Sequence, residues 1–84
     1  MIIYSASVLF YAGRHTNTYP VMATDKCYKN VDSFLDYCEL NAQAHPMFPT
    51  SDLCINVIIC RVNEDGTVLQ EGVHKVRTFR NYKG

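Results

Sequence analysis

Residues 53–62, LCINVIICRV, form the most apolar segment of the chain, and their pattern decides the fold. In an extended strand, successive side chains point to opposite faces of the sheet. One face would carry Leu53, Ile55, Val57 and Ile59, and the other would carry Cys54, Asn56, Ile58, Cys60 and Val62. Because both faces are mainly apolar, the pattern predicts a central strand that is covered on each side.

A helix is predicted upstream of this strand, over about residues 31–44. Its apolar residues recur at the spacing that places them in one buried stripe of a helix. They are Val31, Phe34, Leu35, Cys38 and Ala42. Asn30 can cap the first turn with its side-chain oxygen, and the ring of Pro46 disfavours helical geometry at His45.

Further strands are predicted on both sides of the helix. Residues 1–12 are rich in β-branched and aromatic types, the turn sequence GRHTN follows, and 17–24 can return as a second strand. Pro20 cannot donate to a ladder, so this strand belongs at an edge or at a bulge. The turn NEDGT joins 53–62 to about 67–78 as an antiparallel hairpin.

The predicted order is therefore β-β-α-β-β in a single domain spanning 1–84. The simplest arrangement is an α+β two-layer domain, an antiparallel four-stranded sheet with one helix packed on one face. One helix covers only one face. The other is expected to meet a loop, the tail or another molecule, and a second copy of the chain is the commonest such partner.

Charge is balanced overall but segregated along the chain. Eight basic and eight acidic residues give a net charge of zero, so no global field attracts nucleic acid or an anionic membrane. Half of the basic residues lie in 74–84, whereas 30–45 contains Asp32, Asp36 and Glu39 without any Lys or Arg. The molecule would be bipolar if these two segments faced apart.

No membrane segment is predicted. The opening MIIYSASVLFYAG has no basic residue before its apolar run and is too short to cross a bilayer. Four cysteines without a signal peptide indicate free thiols in a reducing cytoplasm, which would be the host cytoplasm for a viral protein.

The cysteines do not predict a metal site. They are Cys27, Cys38, Cys54 and Cys60, and none forms a C-x-x-C pair. Cys54 and Cys60 would share a face, but about 20 Å would separate them along an extended strand, too far for both to bind one ion. We therefore predict no metal and no other cofactor.

The chain also lacks a recognisable catalytic motif. His15, His45 and His74 have no nucleophile motif beside them, and no Gly-rich loop precedes the helix to hold a phosphate. They are predicted to be surface histidines, and the protein is predicted not to be an enzyme.

The C-terminal segment 74–84, HKVRTFRNYKG, carries a basic and aromatic cluster. Its members are Lys75, Arg77, Arg80, Tyr82 and Lys83. A sheet that displays such residues can bind single-stranded RNA or DNA, with cations on phosphates and rings on bases. A metal-free ribonuclease could use the same residue types, with His74 or Tyr82 transferring protons and Arg77 or Arg80 stabilising the phosphorane. A solvated strand edge is the simpler interpretation.

The leading hypothesis is a small, non-catalytic protein that binds a protein partner. Six tyrosines in a small domain exceed what its core can hold, and tyrosine is common in interfaces. The helix face with Asp32, Asp36, Tyr37 and Glu39 could enter a basic groove of a host protein or protein complex. Small cytoplasmic proteins of this kind are often phage or mobile-element inhibitors, so we predict an anti-defence or accessory factor. A homodimer is possible, and nucleic acid is the alternative partner.

Overall fold

The computed structural model describes the backbone of residues 1–84 and the side chains of 1–72 and 75–84. The elements, in chain order, are β1 (Ile2–Ala12), β2 (His15–Thr24), α1 (Val31–Gln43), a short 3₁₀ helix (Phe48–Thr50), β3 (Asp52–Val62) and β4 (Val68–Phe79). The predicted order β-β-α-β-β is confirmed.

The four strands form one antiparallel sheet in the order β2-β1-β3-β4. Its most apolar strand, β3, is central, as its pattern predicts. Ser7 of β1 pairs with Asn56 of β3 on one side and with Pro20 of β2 on the other. Pro20 therefore lies on an edge strand, where its missing N–H group leaves no gap in the interior of the sheet.

Helix α1 packs on one face of this sheet, which confirms the α+β two-layer arrangement. The Asn30 side chain accepts a hydrogen bond from the Ser33 backbone N–H at 2.9 Å and caps the first turn. The buried hydrophobic residues come from α1 and from the facing positions of β1 and β3, and they are Tyr4, Ala6, Val8, Phe10, Phe34, Leu35, Cys38, Ala42, Leu53, Ile55 and Val57. The two central strands thus supply most of the core.

The second covering layer expected on β3 is not provided by the described part of the chain. Leu53, Ile55 and Val57 are buried beneath the helix, whereas Asn56 on the opposite face is exposed. The molecule is correspondingly thin, with extents of 49 × 21 × 16 Å.

Both hairpins differ in detail from the sequence prediction. The first turn is only two residues long, Gly13 and Arg14, so β2 begins at His15 rather than at residue 17. Gly13 has a φ of 61° and Arg14 a negative φ, as in a type II′ turn, whose backbone twist matches that of the flanking strands. In the second hairpin, the register shifts between Ile58 and Cys60, which marks a bulge that the sequence did not reveal.

Candidate protein-binding surfaces

The acidic residues of α1 and the basic residues of β4 form one cluster. Arg77 lies on the helix-covered face of the sheet, opposite Ile55, and its Nη1 is 2.7 Å from Asp36 Oδ1 and 3.4 Å from Glu39 Oε1. Lys75 Nζ lies 3.9 Å from Asp32 Oδ1. The two charged segments therefore do not face apart, and the bipolar arrangement considered from the sequence is not the one observed.

This pairing constrains Arg77 electrostatically. Its hydrogen bond to Asp36 raises the pKa of the Arg77 guanidinium, with a further contribution from the nearby Glu39 charge. A guanidinium that already binds two carboxylates has fewer free donors for a phosphate group. Three carboxylates against two cations leave this part of the surface with a net charge of −1.

The outward side of α1 adds exposed apolar side chains to the carboxylates. Tyr37 is 42% exposed and Leu40, one helical turn on, is 69% exposed. The ring of Tyr37 lies 5.5 Å from that of Tyr28, which contacts the core residue Phe34 edge to face. We refer to the solvent-facing group Asp32, Asp36, Tyr37, Glu39 and Leu40 as the helix surface.

The basic and aromatic set at the C-terminus is divided between two places. Lys75 and Arg77 are paired with the helix, whereas the last residues cross the end of the sheet where β3 begins. The Asp52 carboxylate accepts a hydrogen bond from the Tyr82 backbone N–H at 3.0 Å, and Asn81 Nδ2 donates to the Phe48 carbonyl oxygen at 2.9 Å.

The C-terminal residues also line an open hollow. Its volume is about 420 Å³, and its walls are Pro49, Thr50, Asn81, Tyr82, Lys83 and Gly84. Arg80 and Lys83 are exposed, and Tyr82 is 43% exposed. These three residues are accessible to a ligand, whereas Arg77 is paired with Asp36 and Glu39.

The histidines occupy different environments. His15 is exposed on β2, but His45 is not the surface residue that we predicted: it is half-buried and its ring stacks 4.6 Å from Phe10. The backbone N–H of Met47 donates to His45 Nδ1 at 3.1 Å. The role considered for His74 as a proton carrier lies outside the described side chains. Setting aside residues 73 and 74, no three His, Cys, Asp or Glu side chains are grouped to hold a metal ion.

A second surface is the sheet face turned away from the helix. From the sequence, only the contribution of β3 to this face was predicted. Residues directly opposite each other in an antiparallel pair share a face, so the register places four strands together there. We call its described side chains the open sheet face; they are Ile3, Ser5, Ser7, Leu9, Tyr11, Thr16, Thr18, Pro20, Met22, Thr24, Asp52, Cys54, Asn56, Ile58, Cys60, Val62, Val68, Gln70, Val76 and Thr78.

The open sheet face is almost free of charge. Of the described side chains on it, only Asp52 is charged, and Asp52 lies at one end and is bonded to the Tyr82 backbone. Met22 is 65% exposed and Val76 is 56% exposed, while Cys54 and Cys60 are partly accessible. Period-two alternation predicts which residues of each strand share a face, but the register is needed to show which faces of the four strands lie together.

Comparisons with protein-family models, with curated proteins and with solved structures found no significant match to this chain. Within the described part of the chain, no helix has the length and apolar character needed to cross a membrane.

Proposed function

We propose that this chain is a small binding protein, not an enzyme, which uses its helix surface to occupy the surface of a partner protein. The observation that carries the proposal is the pair of exposed apolar side chains, Tyr37 and Leu40, set among three carboxylates. Tyrosine gives a large contact area at a low entropy cost and is enriched among the residues that dominate binding energy.

The ion pairs with β4 prepare this surface for binding. Asp36 and Glu39 are held by Arg77, so part of the side-chain entropy that association normally removes is already lost in the free protein. Asp36 remains 69% exposed in its side chain and can still accept hydrogen bonds from a partner. Tyr37 is supported from beneath by its contact with Tyr28.

The chemistry of the surface specifies the kind of partner. An apolar centre bordered by carboxylates fits an apolar pocket whose rim carries Lys or Arg. A protein that binds nucleic acid through such a rim would be blocked by occupation of this site. An inhibitor or accessory factor is therefore the functional class that we propose, and a phage or mobile-element origin stays a prediction.

The test is a comparison of tagged variants in a nuclease-treated lysate, followed by titration of the purified partner. Truncating a dominant interface residue costs about 2 kcal/mol or more, so Tyr37→Ala should weaken binding at least about thirtyfold. Tyr37→Ala combined with Leu40→Ser should abolish capture. Glu64→Ala, an exposed change in the turn between β3 and β4 and away from α1, should bind as the wild type does.

Two results would contradict the proposal. The first is a partner that binds the Tyr37→Ala, Leu40→Ser variant with wild-type affinity. The second is loss of every partner on nuclease treatment, which would favour nucleic acid as the ligand.

Binding of single-stranded nucleic acid is the second candidate, supported by the exposed Arg80, Tyr82 and Lys83. A base could stack on the Tyr82 ring beside the hollow that Lys83 lines, with the two cations on phosphates. Titration of a labelled oligonucleotide distinguishes the candidates: Arg80→Ala with Lys83→Ala would lower affinity and reduce the salt dependence. Of the two arginines considered for the ribonuclease alternative, Arg77 is already paired with Asp36 and Glu39, so that alternative would depend on Arg80.

A further inference from the structure

The open sheet face combines apolar residues with uncharged polar ones and carries little charge. An antiparallel sheet with one face in water normally alternates apolar residues inward with polar residues outward. Here Ile3, Leu9 and Ile58 stand on the outward face, and the charged residues of the strands lie on the helix side or at the ends. Depletion of charge at the centre is the compositional mark of protein interfaces.

The size of this face approaches what a stable association requires. Strands of ten residues at about 3.3 Å per residue, four abreast at about 4.8 Å, give a face of roughly 33 by 19 Å. Stable complexes bury about 800 Å² of accessible surface per partner. Because side chains make the accessible surface of such a face larger than its projected area, it approaches that requirement without help from other elements.

We propose that a second copy of this chain covers the open sheet face, and that the two copies pack sheet against sheet about a twofold axis. In a twofold interface the same surface meets itself, so any charge close to the axis meets its own copy. Among the described side chains of this face the one charge is that of Asp52, at an end, and such a face satisfies this condition without a partner of complementary charge. The result is a four-layer arrangement of helix, sheet, sheet and helix.

The polar residues at the middle of the face fit this arrangement. Ser7 and Asn56 are exposed and pair with each other at the midpoint of β1 and β3. Among the described side chains, Asn56 Nδ2 donates only to the Cys54 sulfur, at 3.4 Å. Near a twofold axis, the Asn56 amides of two copies can bond each other, as single buried polar residues do when they fix the register of an association.

This inference concerns a different surface from the proposed partner site, and either can fail alone. In the dimer, the two helix surfaces point outward on opposite sides. One dimer could therefore bind two partner molecules, or two sites on one assembly.

Light scattering on the purified full chain tests the inference. We expect a mass twice the 9.6 kDa of one chain at micromolar concentrations. Ser7→Arg places a charge at the centre of the face, on a side chain that is exposed in the single chain, and should give a folded monomer. Gln43→Arg adds the same charge on the outside of α1 and should remain dimeric. A 9.6 kDa wild type, or a dimeric Ser7→Arg variant, would overturn the inference.

Cysteine reactivity supplies a second readout on the wild type, which does not depend on how a variant folds. Cys54 and Cys60 lie on the open sheet face, whereas Cys27 is exposed outside it. At about 100 times the dimer Kd, alkylation of Cys54 and Cys60 should be about tenfold slower than in dilute protein, by mass action. Cys27 should react at one rate throughout. If dilution leaves all of the rates unchanged, the face is not covered by a second copy.

Discussion

At the scale of the residue, Cys38 shows how burial determines chemistry in this small core. It lies on the buried stripe of α1 with no exposed surface, and burial raises the pKa of its thiol from 9.0 to about 11. The thiolate is the reactive form of cysteine, so Cys38 is an inert core residue near neutral pH. Cys27, by contrast, is exposed to solvent.

The raised pKa makes stability depend on pH at the alkaline end. The folded state favours the neutral thiol, so its contribution is complete below pH 9 and is lost progressively as pH rises from about 9 towards 11. Tyr19 and Tyr28, whose pKa values burial also raises, should add to the loss at higher pH. Urea unfolding from pH 7 to 10 measures this decline.

Cys38→Ala is the matched variant. It should reduce the free energy of unfolding at pH 7 by about 1 kcal/mol because a buried side chain is shortened. Its stability should then fall less steeply between pH 9 and 10 than that of the wild type. Parallel curves for the two proteins would show that Cys38 is not the group responsible.

Arg77 illustrates what the sequence alone could not supply at this scale. Its charge and its place on one face of the last strand were predictable from period-two alternation, and so was the acidic face of α1. Their pairing depends on which sheet face the helix covers and on the order of β3 and β4, which no local signal determines. From the sequence, the acidic helix face and the basic C-terminal segment were therefore treated as two rival sites, although residues of the two contact each other.

At the scale of the element, the tail and the first hairpin are held together through Gly13 and Tyr82. A Cβ atom added at Gly13 would lie 3.1 Å from the Tyr82 hydroxyl oxygen. Gly13 also has a φ of 61°, a backbone conformation that residues other than glycine adopt at a cost. The hydrogen bond from the Tyr82 backbone N–H to the Asp52 carboxylate holds the tail against the start of β3. The C-terminal residues are thus packed onto the end of the sheet.

We expect Gly13→Ala to destabilise the protein by about 1–2 kcal/mol, through backbone strain and through displacement of Tyr82. In a Tyr82→Ala background only the strain should remain, so the cost should be smaller. Gly66→Ala is the control, because Gly66 has a φ of 89° but no atom within 4 Å of the added Cβ. Its cost should be the same in both backgrounds. Equal costs for Gly13→Ala in the two backgrounds would contradict the packing of the tail.

Most elements were predictable because their signals are local. The stripe of α1 and the cap at Asn30 predicted the helix to within one residue of its observed end, and the turn at Gly66 located the second hairpin. The start of β2 was missed because exposed polar residues on an edge strand show no alternation. The bulge beside Ile58 depends on pairing between strands and has no signature in either strand alone.

At the scale of the whole molecule, the decisive feature is that one helix covers one face of a long sheet. The 13 residues of α1 span about 20 Å, less than the length of the strands beneath it. The apolar pattern of β3 on both faces did predict a need for a second covering layer. That all four strands contribute to an almost uncharged face emerged only from their register.

The measurement that tests this account most directly is small-angle X-ray scattering of the wild type over a range of concentrations. We expect scattering from twice the mass of one chain, with a maximum dimension close to the 49 Å length of the single chain, because packing sheet on sheet adds thickness rather than length. The Ser7→Arg variant should scatter as one chain. A wild type that remains a single chain at every concentration, or a dimer of nearly double that length, would contradict the account.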